Sequence, residues 1–263
     1  MKKHLALIKM IFLDQIEYPA EVFYQLSLAL VPLAVASYLW LAVYQGGKII
    51  GNFNLSSMIT YYVVVMFLDR LLGHPAFWVA DMVENGELSS FLLKPFHFLK
   101  YVFVHSLTRR VVNLIISLPV LAIALFVLRQ YLVFPTSPLV IIFFGISCVL
   151  AIAIYFLLGT LLGLVSLWTL EIGSIFYFYY GALGFLGGSM LPLSFFPATF
   201  SNILTFLPFK YLYYFPAQIY LGNIPVEQIL PGFLIAGFWI VILYLTVTAV
   251  FNAGLRRYSS FGN

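Results

Sequence analysis

Six stretches of this sequence run for about 20 residues with hardly a charge, the length an α-helix needs to cross the hydrocarbon core of a bilayer. They extend from about Tyr24 to Tyr44, Leu55 to Gly73, Val102 to Leu128, Leu139 to Leu167, Ile172 to Leu191 and Ile229 to Asn252. In lipid, every backbone N–H and C=O must be satisfied by protein, so runs this long fold as helices. Composition closes the soluble alternative: only 8% of residues are charged, against roughly a quarter in a chain that must clothe itself in water. The chain is therefore read as an all-α polytopic membrane protein, a single domain over residues 1–263 with six transmembrane helices.

Orientation follows from the basic residues. With six spans both termini share a side, and that side holds Lys2, Lys3, Lys9, Arg70, Lys94, Lys100, Arg109, Arg110, Arg256 and Arg257. The other side holds only Lys48, Arg129 and Lys210, so both termini are expected in the cytoplasm. The basic residues lie in short clusters between apolar runs, which argues for a membrane surface and against nucleic acid. The first apolar stretch is interrupted by Lys9 and Asp14 and lacks a small-residue cleavage site, so it is expected to remain on the mature protein. Within residues 1–20, Leu5, Ile8, Ile11, Phe12 and Ile16 recur at helical spacing, the pattern of an amphipathic helix lying on the inner membrane face, with Pro19 as the break before the first span. The single cysteine, Cys148, excludes a disulfide framework.

Two connections carry more information than the spans. Residues 75–101 set Asp81, Glu84, Glu87, Lys94, His97 and Lys100 among apolar residues, which predicts a cytoplasmic helix, a turn at Asn85-Gly86, and a second short helix stopped by Pro95. Residues 188–225, on the outer side, are apolar enough for lipid yet contain Pro192, Pro197, Pro208, Pro216 and Pro225. One continuous spanning helix would not tolerate that many prolines. Two half-helices, about 197–207 and 209–221, dipping in and out beside the transport pathway, satisfy both constraints; an apolar outer lid is the plainer alternative.

Chemistry of the catalytic kind is sparse. Gly46-Gly47-Lys48-Ile49 lacks the glycine spacing and the Ser/Thr of a phosphate-binding loop, so the chain is not expected to hydrolyse nucleotide. His4, His74, His97 and His105 lack the close spacing of metal ligands, and Ser189 has no histidine on its side of the membrane to activate it. Asp69 and Arg70 fall short of the inner interface, where ionisable groups are costly; they are candidates for a gating ion pair, or for a snorkelling structural bridge. Glu171, at the short inner turn between spans four and five, is a functional candidate or a surface contact. Gly159 with Gly163, and Gly184 with Gly188, are spaced for close helix packing. Tyr61, Tyr62 and Phe67 on span two, and Phe176, Tyr177 and Tyr180 on span five, either line a route for an amphipathic substrate or serve as belt and core.

These features together resemble the permeases of the ABC-2 type. The residues that carry the resemblance are the inner loop Glu84-Asn85-Gly86-Glu87-Leu88-Ser89-Ser90-Phe91-Leu92-Leu93-Lys94-Pro95 and the outer segment from Leu191-Pro192 through Leu207-Pro208-Phe209 to Tyr214-Phe215-Pro216-Ala217-Gln218-Ile219-Tyr220-Leu221-Gly222. The resemblance implies an exporter subunit of a bacterial cytoplasmic membrane, paired with a second permease and with separate ATPase subunits that carry the ATP and magnesium. It implies that Glu84, Gly86, Glu87, Leu88, Leu92, Lys94 and Pro95 dock on the ATPase, and that the pathway lies between spans two and five of two protomers. The rival expectation is an ion- or proton-coupled secondary transporter using Asp69 and Arg70; such folds usually repeat their broken helices in both halves, and here the break precedes span six alone. A lipid-acting membrane enzyme would need a polar cluster at depth that the sequence does not display.

Overall fold

The computed structural model describes residues 19–45, 53–93, 97–135, 137–169 and 172–258, with the side chains of the first helix described from Leu30 onward. The proposed interfacial helix before Pro19, and Lys48, Lys94, Pro95 and Glu171, lie outside the described residues. All of the regular elements described are helical, in the order α1 (Pro19–Val43), α2 (Leu55–Leu72), α3 (Pro75–Glu84), α4 (Glu87–Leu92), α5 (Phe98–Val127), α6 (Pro138–Gly163), α7 (Gly173–Leu186), α8 (Ala198–Phe206), α9 (Tyr214–Tyr220) and α10 (Val226–Leu255). Single 3₁₀ turns occupy Arg129–Tyr131, Leu164–Leu167, Leu193–Phe195 and Pro208–Tyr211.

Among the described residues, four segments are long and apolar enough to cross a membrane: 55–84, which joins α2 to α3, then 98–127, 138–167 and 226–255. The ends of these helices are written in local chemistry. Asn54 caps α2 by accepting from the Ser57 N–H at 2.8 Å, while Ser57 Oγ accepts from the Asn54 N–H at 2.9 Å, a reciprocal capping box. At the other end Gly73 adopts a φ of 67°, and Pro75, lacking an N–H and pre-set for helix, opens α3. The chain therefore bends after Leu72 and continues as helix.

Two spans differ from expectation. Helix α1 begins at Pro19 itself, five residues before the anticipated start, because proline is at home in a first helical turn. Helix α7 ends at Leu186 after 14 residues, about 21 Å of rise, rather than continuing to Leu191. Gly188, at φ 86°, turns the chain, and Met190 folds back so that its N–H donates to the Gly184 carbonyl at 3.0 Å. Gly184 thus receives Met190 of its own turn, while Gly188 turns the chain where a Cβ would come 3.0 Å from Tyr61 of α2 and from Tyr214 of α9.

The first glycine pair does receive a helix, and that helix is α3. A Cβ on Gly159 would lie 2.6 Å from Pro75 Cγ, and one on Gly163 would lie 2.6 Å from Val79 Cβ and 2.7 Å from the Ala76 carbonyl oxygen. The apolar face of α3, with Ala76, Val79, Ala80, Met82 and Val83 all buried, seats against the C-terminal end of α6. Helix α6 is the hub of the bundle and also meets α10, α9 and α2. By contrast Leu230, Leu234, Phe238, Val241 and Leu245 form an exposed helical stripe on α10, which water would not tolerate and lipid or another chain would.

Between α7 and α10 the outer segment is broken as its prolines dictate. Helix α8 stands on its own, and the second expected half-helix divides into the 3₁₀ turn at Pro208–Tyr211 and the seven-residue α9, with Pro216 in its first turn. Phe215, Pro216, Ala217, Gln218 and Ile219 are buried against α6 and α2.

Candidate functional site

The inner loop forms a compact hook. Asn85 Nδ2 donates to Asp81 Oδ1 at 2.8 Å, and Gly86, at φ 73°, reverses the chain into α4. No atom lies within 4 Å of a Cβ placed on Gly86, so its backbone angle, not crowding, calls for glycine. Glu84, Glu87, Leu92 and Leu93 are exposed on the outside of the hook, whereas Leu88 is 0% exposed. Leu88 therefore cannot meet a partner directly as expected; it anchors the hook from within. Leu93, 89% exposed, is the apolar tip that sequence reasoning overlooked.

Aromatic contacts tie the hook to the spans. Phe91 packs on Phe98 and Tyr101, Phe98 stacks on Phe251 of α10 with centroids 4.1 Å apart, and Ser89 Oγ lies 3.2 Å from the Tyr258 hydroxyl. Trp78 of α3 stacks on His105 of α5 at 3.9 Å. Contacts run from α4 to α3, from α3 to α6 at the glycine seat, and from α3 to α2 across the bend at Gly73.

The six aromatic residues expected to share a route do not share a face. Tyr61 is fully buried and its hydroxyl donates to the Gly188 carbonyl at 2.6 Å, while Phe176 is buried edge-on to Phe77. Phe67 packs against Phe144 of α6. Tyr177 is 83% exposed, and Tyr180 stacks on Phe77 and approaches His74 at 5.0 Å. Tyr62 alone of the six lines a mostly apolar cavity, and its hydroxyl donates to the Met190 carbonyl at 2.8 Å.

That cavity, about 640 Å³, lies between α1, α2 and the turn after α7. Leu33, Val35, Leu39, Val65 and Met66 give it apolar walls, and Asp69 and Arg70 supply its charge. The two are adjacent on a helix and so diverge rather than pair. Asp69 Oδ1 accepts from the Tyr213 hydroxyl at 3.2 Å, and Arg70 Nε is buried without a hydrogen-bond partner among the described residues. An apolar chamber of ligand size carrying a few polar groups is what an amphipathic small molecule requires.

A family model for the ABC-2 family transporter protein matches residues 30–262. The chain belongs to the ABC-2 transporter family. It is accordingly a membrane transport component, of the permease type, and proteins of this family usually work with an ATPase partner. No curated protein and no solved structure matches it. The hook of α3 and α4 and the chamber both join α2, which lines the chamber and leads through the bend at Gly73 into α3.

Proposed function

We propose that this ABC-2 permease is the transmembrane subunit of an ATP-driven exporter, which moves an amphipathic or hydrophobic substrate outward across the cytoplasmic membrane with both its termini inside. The energy comes from separate ATPase subunits, which carry the ATP and magnesium and dock on the 81–95 hook; two permeases, identical or sister chains, complete the assembly. The observation that carries the reading is the mechanical continuity between the exposed hook and the chamber, through α3 seated in α6 and bent onto α2. A chain without a nucleotide site responds to ATP only through movement delivered at a contact.

Glu84, Glu87, Leu92 and Leu93 form the docking face, with Gly86 and Leu88 shaping it. Lys94 and Pro95 extend it in sequence. The chamber holds the apolar part of the cargo and presents Asp69 and Arg70 to its polar part. Helices α8 and α9 close the outer side as re-entrant elements.

The test is affinity purification of the tagged chain from its native membrane in mild detergent, with mass spectrometry of co-purifying proteins and a vanadate-sensitive ATPase assay. A stoichiometric ATPase subunit is expected, and the double variant Glu87→Lys, Leu93→Asp is expected to lose it while keeping its unfolding temperature. Recovery of the chain alone, folded and without ATPase activity, would overturn the reading in favour of an ion-coupled carrier built on Asp69.

A further inference from the structure

Arg110 of α5 is 3% exposed, yet none of its three guanidinium nitrogens has a hydrogen-bond partner among the described residues. Arginine stays protonated in proteins, and a buried unpaired charge is among the costliest things a fold can hold. Its stem runs over Gly73 at the α2–α3 bend, where a Cβ would come within 3.2 Å of Arg110 Cγ and 3.3 Å of Nε. Its side chain lines a cavity of about 40 Å³ whose rim also includes His105, Ser106 and the exposed Arg109.

The cavity's remaining chemistry is also that of an anion site. No Asp or Glu lines it among the described residues. Asp69, on the last turn of α2, has its carboxylate engaged by Tyr213. His74 and Pro75, both on the cavity wall, begin the ten-residue α3, and His74 offers its first turn no side-chain cap. Arg110 and Arg109 therefore line one small space in which no described residue is acidic. Water would satisfy the N–H groups and leave the charge.

We propose that this cavity is a phosphate-binding site, taking the phosphate of a phospholipid headgroup or a free phosphate ion. The planar fork of Arg110 suits two oxygens of a tetrahedral oxyanion, Arg109 supplies a second charge from the open side, and Ser106 adds a hydroxyl donor. The occupant bridges α5 to the α2–α3 bend, so it stiffens the joint through which the hook moves α2. The assignment is independent of the cargo and of the ATPase.

The test uses the full chain, delipidated in detergent and followed by native mass spectrometry and thermal unfolding. The probes are phosphatidylglycerol, diacylglycerol with the same acyl chains, and inorganic phosphate against chloride. The wild-type chain is expected to retain phosphatidylglycerol over diacylglycerol, with the preference falling about tenfold in Arg110→Met, the scale of one charge-assisted contact. Equal retention of the two lipids, with stabilisation by inorganic phosphate that Arg110→Met loses, assigns the site to free phosphate. Arg110→Gln, neutral but able to hydrogen-bond, takes the place of Arg110→Met if the latter is not recovered folded. A wild-type chain indifferent to phosphate in both forms, or a folded variant with the wild-type preference, overturns the proposal.

Discussion

Tyr61 of α2 and Leu88 of α4 are both fully buried, one holding a turn through its hydroxyl and the other a hook through its packing. Tyr61 is enclosed by Phe53 and Tyr62 and spends its hydroxyl on the Gly188 carbonyl, holding closed the turn that cuts α7 short. Tyr61→Phe leaves that buried carbonyl without its donor and is expected to cost about 1–3 kcal/mol, read as earlier unfolding in detergent. Tyr177→Ala, on an 83% exposed ring, is expected to change stability by less than about 0.5 kcal/mol. At the hook, Leu88→Ala opens a hole in a fully buried position, with an expected loss of about 2–5 kcal/mol. Glu87→Ala, on the exposed side of the same turn of helix, is expected to leave unfolding unchanged. The resemblance to ABC-2 permeases placed Glu87 and Leu88 together in a docking motif, but consecutive residues point to different sides of a helix. Sequence gave the motif; the packing of Phe91 and Phe98 beside it decided which side is inside.

At the scale of elements, identical spacing had two outcomes. Gly159 and Gly163 receive α3, whereas Gly184 and Gly188 make a turn. A small residue every fourth position announces that something approaches the backbone closely, without naming it. The amphipathic pattern of 75–84 was equally legible, and the two signals are halves of one contact that only the fold unites. Its strength is testable: Gly163→Val drives a branched side chain into Val79 and the Ala76 carbonyl, with an expected destabilisation of about 1–3 kcal/mol. Gly145 lies on the same helix with nothing within 4 Å of an added Cβ, so Gly145→Ala is expected to be neutral or stabilising by up to about 1 kcal/mol. Equal losses for the two variants, measured by thermal unfolding in the same detergent, would mean that α3 is not held by the glycine seat. The α7 boundary was missed for a related reason. Apolar composition continues through Leu186-Gly187-Gly188-Ser189-Met190-Leu191, and the tyrosine hydroxyls that stop the helix come from α2, more than a hundred residues away in sequence.

For the whole molecule, the solvent explains why so much was legible: lipid imposes length and apolarity on each crossing segment, and both can be counted along the chain. What lipid does not impose is which of two adjacent arginines turns inward. Arg109 and Arg110 read alike at the inner end of α5, yet one is exposed and the other is buried beneath the α2–α3 bend. The basic residues also carry the proposed direction of the whole chain, with their excess on the cytoplasmic side. That direction assigns the hook to the inside and the Arg129–Tyr131 turn between α5 and α6 to the outside, and the two can be labelled separately. The only native thiol, Cys148, is buried in α6 and can be removed as Cys148→Ala. On that background Gln130→Cys, exposed in the turn, is expected to react with a membrane-impermeant maleimide in intact cells. Ser90→Cys, exposed on α4, is expected to react only after the membrane is opened. The reverse pattern would put the hook outside, where no ATPase could reach it, and would overturn the exporter mechanism together with the orientation. Labelling of both sites in intact cells would instead mean that the segment 98–127 does not cross the membrane between them.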